Sequence, residues 1–240
     1  MTQVSLILPA YNEADTLELA VERTAEELIK LVPSFEIILA EDGSTDGTDV
    51  IAAALADTYA FVRHLHHDKR LGKGSALKNA FEEAKGATIA YFDADLSTDM
   101  SYLKELIHSI DEEGFDFATG SRLLAESEVK RGLKRETASR VFNFLVRALL
   151  RSRLHDHQCG FKSFKRSSLL LFMDEVKDQH WFWDTELLVR AQRRGCTVKE
   201  FPIKWHQSTT TRVDFFNDVI TMSVKIIRLW WILWREESGK

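Results

Sequence analysis

Short apolar runs alternate with longer amphipathic segments through the first half of the chain. The apolar run over residues 4–8 predicts a buried strand. Over residues 14–31, apolar positions recur every three or four residues, which predicts a helix. Further strands are predicted at 35–40, 61–64, 87–92 and 115–119, and further helices at 49–58, 75–85 and 100–112. Repeated strand–helix units predict an α/β protein with a mainly parallel central sheet and helices on both faces.

Polar turns follow four of the predicted strands. They span residues 9–13, 41–46, 93–99 and 120–122. Ligands of such sheets bind outside the carboxyl ends of the strands. The pattern therefore predicts a nucleotide-sized cleft along one edge of the sheet.

Length and charge narrow the class of protein. The 240 residues contain no linker rich in Pro, Gly or Ser, which favours one large domain over two small ones. The net charge of -5 argues against a nucleic-acid partner. Two cysteines, Cys159 and Cys196, do not make a disulfide framework. Strand-like sequence begins almost at residue 1, so we expect no signal segment and a cytoplasmic setting.

Residues 130–153 form a basic amphipathic segment. Apolar positions recur at helical spacing, and Glu136 is the single acid. The basic residues are Lys130, Arg131, Lys134, Arg135, Arg140, Arg147, Arg151 and Arg153. We expect a helix whose outer cations meet anionic headgroups at a membrane surface.

The C-terminal segment, residues 215–234, is also amphipathic and rich in tryptophan. Its charged residues make a transmembrane helix improbable, because a span needs about 20 nearly uncharged residues. Tryptophans beside Lys and Arg suit a helix in the membrane interface, so peripheral attachment is predicted. The alternative is a terminal helix that packs on the core.

Two carboxylates, Asp93 and Asp95, stand one residue apart where a strand runs out into polar sequence. In extended chain alternate side chains share a face, and two carboxylates on one face favour a hard divalent cation. Acidic turns are also common without metal. An EF-hand loop is improbable, because Thr98 occupies the position at which that loop requires glycine.

Histidines are the other candidate metal ligands. His155 and His157 flank an aspartate, and three more histidines are His64, His66 and His67. Neighbouring cysteines and the H-E-x-x-H spacing are lacking, which favours ordinary loop histidines over zinc ligands.

The strand-end turns, taken together, carry a family resemblance. They read LPAYNE (8–13), EDGSTDGT (41–48), RLGKG (70–74), DAD (93–95) and GSR (120–122). In this order they resemble a glycosyltransferase family 2 enzyme of the GT-A fold. Segments 156–164 (DHQCGFKSF), 181–192 (WFWDTELLVRAQ) and 198–205 (VKEFPIKW) are similar to the dolichyl-phosphate glucosyltransferase branch. Its nearest neighbour is the mannosyl branch, and the chain departs from the glucosyl pattern at 96–98.

The resemblance implies a set of nucleotide-sugar and metal contacts. Asp42 matches the acid that recognises the base, and Lys73 matches a lysine near the nucleotide. Asp93 and Asp95 would hold Mg²⁺ or Mn²⁺, which bridges the donor diphosphate and stabilises the leaving group. The implied nucleotide-sugar contacts are Pro9, Tyr11, Glu13, Asp42, Lys73, Asp93 and Arg212.

The acceptor side is expected to depend on cations. A lipid phosphate is already anionic near neutral pH, so it needs binding and orientation more than a general base. Arg122 and Arg131 match acceptor- and diphosphate-contacting positions of the family, and with Asp95 they are the predicted catalytic residues. Asp184 and Glu186 are acceptor-side candidates with a structural or positioning role. The competing view is that one of them deprotonates a sugar hydroxyl.

The resemblance implies a catalytic domain at residues 1–212, with a nucleotide-binding half and an acceptor half, and an amphipathic helix at 213–240. The implied reaction is inverting transfer of a hexose, favouring glucose from UDP-glucose, to dolichyl or polyprenyl phosphate at the cytoplasmic membrane face. It would feed protein or cell-surface glycosylation. Alternatives are a GDP-mannose-dependent enzyme, a saccharide acceptor, and a non-enzymatic peripheral membrane-binding module.

Overall fold

The structure is a computed structural model that describes residues 2–206 and 215–238, with side chains in the second segment described from residue 221. Nine strands are β1 (Val4–Ala10), β2 (Phe35–Glu41), β3 (Val62–Leu65), β4 (Thr88–Phe92), β5 (Phe117–Ser121), β6 (Glu128–Lys130), β7 (Phe161–Lys165), β8 (Val198–Pro202) and β9 (Lys204–His206) among these residues. The helices are α1 (Leu17–Leu31), α2 (Thr48–Thr58), α3 (Lys73–Glu83), α4 (Leu103–Asp111), α5 (Leu133–Leu150), α6 (Arg166–Leu170), α7 (Trp183–Arg193) and α8 (Phe215–Ser238).

The central sheet has seven strands in the order β3-β2-β1-β4-β7-β5-β8. Strand β7 runs antiparallel to both of its neighbours, β4 and β5, whereas the other pairs in this sheet are parallel. Strands β6 and β9 form a separate parallel pair. The prediction of a mainly parallel central sheet is therefore confirmed.

Helices cover both faces of the central sheet. In β1, Leu6 and Leu8 belong to the apolar cluster that includes α1, α2 and α4, whereas Ile7 packs with α3, α6 and α7 on the other face. Side chains of a strand alternate between faces, so a strand covered on both sides is apolar throughout. This explains why the buried strands read as continuous apolar runs.

Helices α5, α7 and α8 share a third apolar cluster. Ile226, Leu229 and Leu233 of α8 pack against Val146 and Leu150 of α5. The sequence analysis left open whether the C-terminal helix packs on the protein or lies in a membrane interface. One face of α8 does pack on the protein. The boundary predicted at residue 212 stays a prediction.

The described elements begin and end within a few residues of the predicted bounds. Helix α1 begins at Leu17 rather than at residue 14, because the backbone N–H groups of Glu13 and Ala14 donate to Thr48 Oγ1 (2.8 Å) and Asp46 Oδ2 (3.3 Å). These bonds hold residues 13 and 14 against the turn that follows β2, so the helix begins only after them.

The basic segment predicted over 130–153 is helical from Leu133 to Leu150, since residues 128–130 pair as β6. The segment predicted at 100–112 opens with the 3₁₀ turn Met100–Tyr102 before α4. None of the helices in the part of the chain that the structure describes has the length together with the apolar character that crossing a membrane requires.

Candidate functional site

Two strand-end turns are tied to one another by side-chain to backbone hydrogen bonds. The Asn12 N–H donates to Ser44 Oγ (3.0 Å), and the Thr45 N–H donates to Asn12 Oδ1 (2.8 Å). Asn12 adopts a φ of 54°, a left-handed conformation that asparagine tolerates well. The first and second nucleotide-binding turns of the sequence analysis therefore form one unit at the sheet edge.

A cavity of about 920 Å³ opens at this edge. In the described residues, most of the predicted site residues line it: Pro9, Tyr11, Glu13, Asp42, Lys73, Asp93, Asp95, Arg122 and Arg131. Arg212 lies outside the described residues. The fold thus brings together side chains spread over more than a hundred positions of sequence, while their individual roles stay predictions.

Asp42 organises the turn that carries Lys73. Its Oδ1 accepts from the Leu71 N–H (2.6 Å) and its Oδ2 from the Gly72 N–H (2.9 Å). The Gly74 N–H donates to Gln179 O (2.9 Å). Backbone amides on both sides of Lys73 are thus engaged within the protein, so the lysine side chain is what this turn presents to the cavity.

Lys73 reaches the first acid of the DAD triplet. Its Nζ lies 2.6 Å from Asp93 Oδ1. Burial alone would lower the pKa of Lys73, but the carboxylates of Asp93 and Asp184 outweigh it and the pKa is raised. The ammonium group therefore remains charged beside the cavity.

Asp93 and Asp95 enter the cavity from a turn rather than from extended chain. The Leu96 N–H donates to Asp93 O (3.3 Å), and Leu96 has a φ of 51°. The Ser97 N–H donates to Asp95 Oδ1 (3.0 Å), which fixes the second carboxylate. Both acids line the same cavity, and a turn rather than an extended strand brings them there.

The donor set of this turn fits a hard divalent cation. Two carboxylates line one wall of the cavity, and Mg²⁺ binds through one or two carboxylates together with substrate phosphates. Asp95 and Asp93 are the residues that would hold such an ion.

Gly160, just before β7, makes room for Asp93. A Cβ at Gly160 would lie 2.1 Å from Asp93 Oδ2. The Asp93 N–H also donates to Gly160 O (3.2 Å). Gly160 stands in the segment 156–164 that supported the family resemblance, but the sequence analysis gave it no role.

Arg122 is held by a buried partner that the sequence analysis missed. Its Nε and Nη2 donate to Asp156 Oδ2 (2.7 Å) and Oδ1 (2.9 Å) in a bidentate pair. The backbone N–H of Arg122 also donates to Asp156 Oδ2 (3.0 Å). Burial would raise the pKa of Asp156, but Arg122 outweighs it and holds that pKa well below its usual range. A D-x-x-C-G pattern downstream of G-S-R is the sequence signal that could have identified this pair.

Arg131 is similarly paired with an acid. Its Nε donates to Glu136 Oε2 (2.5 Å), and its side chain is almost fully buried. Arg131 Nη2 is buried and has no hydrogen-bond partner among the residues the structure describes. Arg131 is thus anchored by Glu136 and lines the same cavity as Arg122.

Asp184 and Glu186 lie apart from the described cavity lining. Asp184 accepts from Tyr91 Oη and lies 3.6 Å from Lys162 Nζ. Glu186 Oε2 accepts from the N–H groups of residues 177 (3.1 Å) and 178 (3.0 Å), and its Oε1 accepts from Arg190 Nε (3.0 Å). Both carboxylates are buried and already bonded, which favours a structural role over proton abstraction. Their acceptor-side assignment stays a prediction.

Helices α5 and α8 also contribute to the cavity lining. Their apolar side chains there include Leu133, Val141, Phe142, Leu145 and Met222, and the basic Lys134 and Arg135 of α5 line the cavity as well. The acids and cations of the strand-end turns therefore share one cavity with a group of large apolar side chains.

These features belong to one class of protein. The family model for glycosyl transferase family 2 matches residues 5–171, and the chain belongs to that family. The resemblance drawn from the strand-end turns is thereby confirmed.

Two curated relatives illustrate the range of likeness. The chain is 50% identical over 233 residues to the glycosyltransferase AglD of Haloferax volcanii, which covers 96% of this chain but 37% of that protein. The chain thus spans just over a third of that relative's length. It is 31% identical over 241 residues to the dolichyl-phosphate beta-glucosyltransferase ALG5D of Trichomonas vaginalis, covering 94% of this chain and 72% of the relative.

Solved structures support the fold. Glucosyl-3-phosphoglycerate synthase from Mycobacterium tuberculosis, in complex with Mn²⁺, UDP and glucosyl-3-phosphoglycerate, superposes with a TM-score of 0.70 at 21% identity. The match covers 95% of this chain and 78% of that one. The predicted GT-A architecture is confirmed.

Proposed function

We propose that this chain catalyses inverting transfer of a hexose from a nucleotide sugar to a polyprenyl phosphate, with UDP-glucose as the favoured donor and dolichyl phosphate as the model acceptor. The observation that carries the proposal is a single cavity lined both by the acids and cations of the strand-end turns and by large apolar side chains of α5 and α8. A sugar diphosphate requires the first group of side chains and an isoprenoid chain requires the second.

The relatives support the same assignment. One is named a dolichyl-phosphate beta-glucosyltransferase, and a structural neighbour is described in complex with Mn²⁺ and UDP-glucose. These relatives lead us to propose glucose rather than mannose as the transferred sugar, and UDP rather than GDP as the nucleotide of the donor.

On the donor side, acidic and basic side chains already stand together in the lining of the cavity. Tyr11 stacks under the Arg70 guanidinium at 3.8 Å from the ring centroid, and both line the cavity. Lys73, with its charge retained beside Asp93, would contact the donor diphosphate. A Mg²⁺ or Mn²⁺ ion on Asp93 and Asp95 would neutralise the diphosphate as the leaving group departs.

On the acceptor side, arginine side chains would bind and orient the phosphate of the lipid. The phosphate nucleophile is anionic already, so a general base is unnecessary and the buried, bonded state of Asp184 is consistent with the reaction. Arg122 is held in place by Asp156, and Arg131, which Glu136 anchors, lines the same cavity and would supply a second anion contact. Fixed cations of this kind reduce the entropy cost of bringing two anions together.

A membrane surface is the proposed location, at the cytoplasmic face. Val224, Ile227, Trp231 and Trp234 of α8 are spaced to share one helix face, and each is between 49% and 59% exposed. This face lies apart from the one that packs on α5. Half-exposed tryptophans beside exposed basic residues are typical of a helix that lies in the membrane interface.

A donor panel tests the proposal. The purified chain is incubated with Mg²⁺ or Mn²⁺, polyprenyl phosphate in detergent, and radiolabelled UDP-glucose, UDP-galactose, GDP-mannose or UDP-N-acetylglucosamine. We expect label from UDP-glucose in an organic-extractable product that mild acid releases. Label from GDP-mannose alone would favour the mannosyl alternative, and label only in soluble saccharide would refute the lipid acceptor.

A matched pair of variants separates catalysis from binding to membranes. Asp95→Asn removes one charge from the predicted metal site at nearly constant size, so we expect turnover to fall by at least about 100-fold, the scale of one lost electrostatic contact in a transition state. Association with anionic vesicles should be unchanged, because α8 is untouched. Unchanged turnover would contradict the metal-site role, whereas a wild-type chain that binds vesicles but shows no turnover with any donor would favour the non-enzymatic alternative.

A further inference from the structure

A second group of metal-binding side chains lies at the edge of the sheet, apart from the described cavity lining. Glu41 is the last residue of β2, His64 lies in β3, and His66 follows β3 directly. One potential ligand atom from each residue lies within 4.8 Å of the other two.

The sheet register creates this cluster. Strands β2 and β3 are parallel, with Leu39 opposite His64 and Ala40 opposite Leu65. One step further along the same register sets Glu41 beside His66. Because alternate residues of a strand share a face, the two histidines and the glutamate point to the same side of the sheet.

The hydrogen bonding of the cluster is incomplete. Glu41 is fully buried, and its Oε2 lies 2.5 Å from His66 Nδ1. His64 Nε2 is buried without a hydrogen-bond partner in the part of the chain that the structure describes. The side chain of His66 is 43% exposed, so the cluster is reachable from solvent.

We propose that Glu41, His64 and His66 bind a transition-metal ion of the Zn²⁺ class, at a site separate from Asp93 and Asp95. Two imidazoles and one carboxylate form a ligand set that zinc uses with a water in the fourth position. Nitrogen ligands favour such ions over Mg²⁺, which prefers oxygen, so the two sites select different metals.

The required rearrangement is small. Ligand atoms around a tetrahedral zinc with bonds of about 2.0–2.1 Å stand roughly 3.3 Å apart. The His66 and Glu41 atoms would separate slightly from 2.5 Å, and a ring nitrogen of His64 would move inward from within 4.8 Å. The ion would take the place of the hydrogen between His66 Nδ1 and Glu41, and the neutral imidazole would then carry its hydrogen on Nε2.

Metal binding at this point would stiffen a turn beside the cavity. Glu41 Oε1 accepts from the Ser44 N–H, and Ser44 Oγ accepts from the Asn12 N–H (3.0 Å). The adjacent Asp42 holds the turn before α3. An ion that fixes the Glu41 carboxylate therefore supports the backbone that shapes one end of the cavity.

Co²⁺ is the probe for the experiment, because its visible absorption reports tetrahedral nitrogen and oxygen ligation. The whole chain is titrated with Co²⁺ in excess Mg²⁺, which keeps the oxygen-rich site occupied. We expect one Co²⁺ per chain, displaced by Zn²⁺, and a rise in the thermal unfolding midpoint on Zn²⁺ binding. His64→Ala and His66→Ala should each weaken Co²⁺ binding by at least about tenfold and remove the stabilisation by Zn²⁺.

Two controls make the result specific. His67→Ala removes the neighbouring histidine, whose Nε2 lies 3.1 Å from Asn79 Nδ2, and should bind Co²⁺ like the wild type. Asp95→Asn should also keep the Co²⁺ signal, which separates this site from the one in the proposed function. Unchanged affinity in both His66→Ala and His64→Ala, or loss of the signal in Asp95→Asn, would overturn the proposal. The side chain of His66 is 43% exposed, so its replacement leaves no enclosed void in the apolar core.

Discussion

An alanine at position 160 would collide with the first acid of the DAD triplet. The added Cβ of Gly160→Ala would stand 2.1 Å from Asp93 Oδ2, whereas ordinary contacts begin at 3.4 Å. The backbone has little freedom to yield, because Phe92 of β4 pairs with Phe161 of β7 directly beside the contact. The Asp93 side chain must therefore move by about 1 Å or more, which breaks its contact with Lys73 at 2.6 Å.

A displacement of this size has a large expected effect on turnover. Misplacing a reacting group by about 1 Å can cost roughly 100-fold in rate. We expect kcat of Gly160→Ala to fall by about that factor in the radiolabel assay, with a native circular-dichroism spectrum. Gly132→Ala is the matched control, since a Cβ there meets nothing within 4 Å, and its φ of -68° suits any residue. If Gly160→Ala keeps kcat within about threefold of wild type, the reasoning that ties this glycine to the position of Asp93 is refuted.

Three further changes have defined outcomes. Lys73→Met removes the cation beside Asp93, so donor affinity measured by calorimetry should drop by at least about tenfold, and equal affinity would contradict its diphosphate role. Trp231→Ala combined with Trp234→Ala removes two half-exposed rings and should weaken co-sedimentation with anionic vesicles while turnover in detergent is kept; loss of both would point to a folding defect. Burial lowers the pKa of His157 to about 3 from 6.5. The folded state therefore takes up this proton less readily than the unfolded state. The free energy of unfolding is unaffected by His157 above pH 6.5 and falls by about 1.4 kcal/mol per pH unit as pH drops toward 3. Chemical denaturation at pH 7 and pH 5 should show this fall in wild type and a smaller one in His157→Gln, and equal falls would contradict it.

Local sequence predicted the parallel half of the sheet well. Strands β1, β2 and β4 are mainly apolar runs followed by polar turns, so both these elements and the edge at which ligands bind could be derived from the chain itself. The same derivation could not anticipate β7. This strand comes from far along the chain and inserts antiparallel between β4 and β5, a choice of direction that no local pattern records.

The limits of the site prediction follow from that strand. Gly160 and Asp156 reach the cavity residues Asp93 and Arg122 only because β7 lies between β4 and β5. The motif order identified Arg122 but not the acid that anchors it. Conversely, Asp184 stood in a promising segment, yet burial against Tyr91 takes it out of reach of solvent, and burial is set by tertiary packing rather than by spacing.

On the proposed function, the shared lining of the cavity has a consequence for the length of the acceptor. A polyprenyl phosphate would place its anionic head among the acids and cations of the strand-end turns and its first hydrocarbon units against the apolar side chains of α5 and α8. A cavity of about 920 Å³ is small beside a long polyprenyl chain, so most of the tail would lie outside it. We therefore expect polyprenyl phosphates of very different length to be turned over at similar rates.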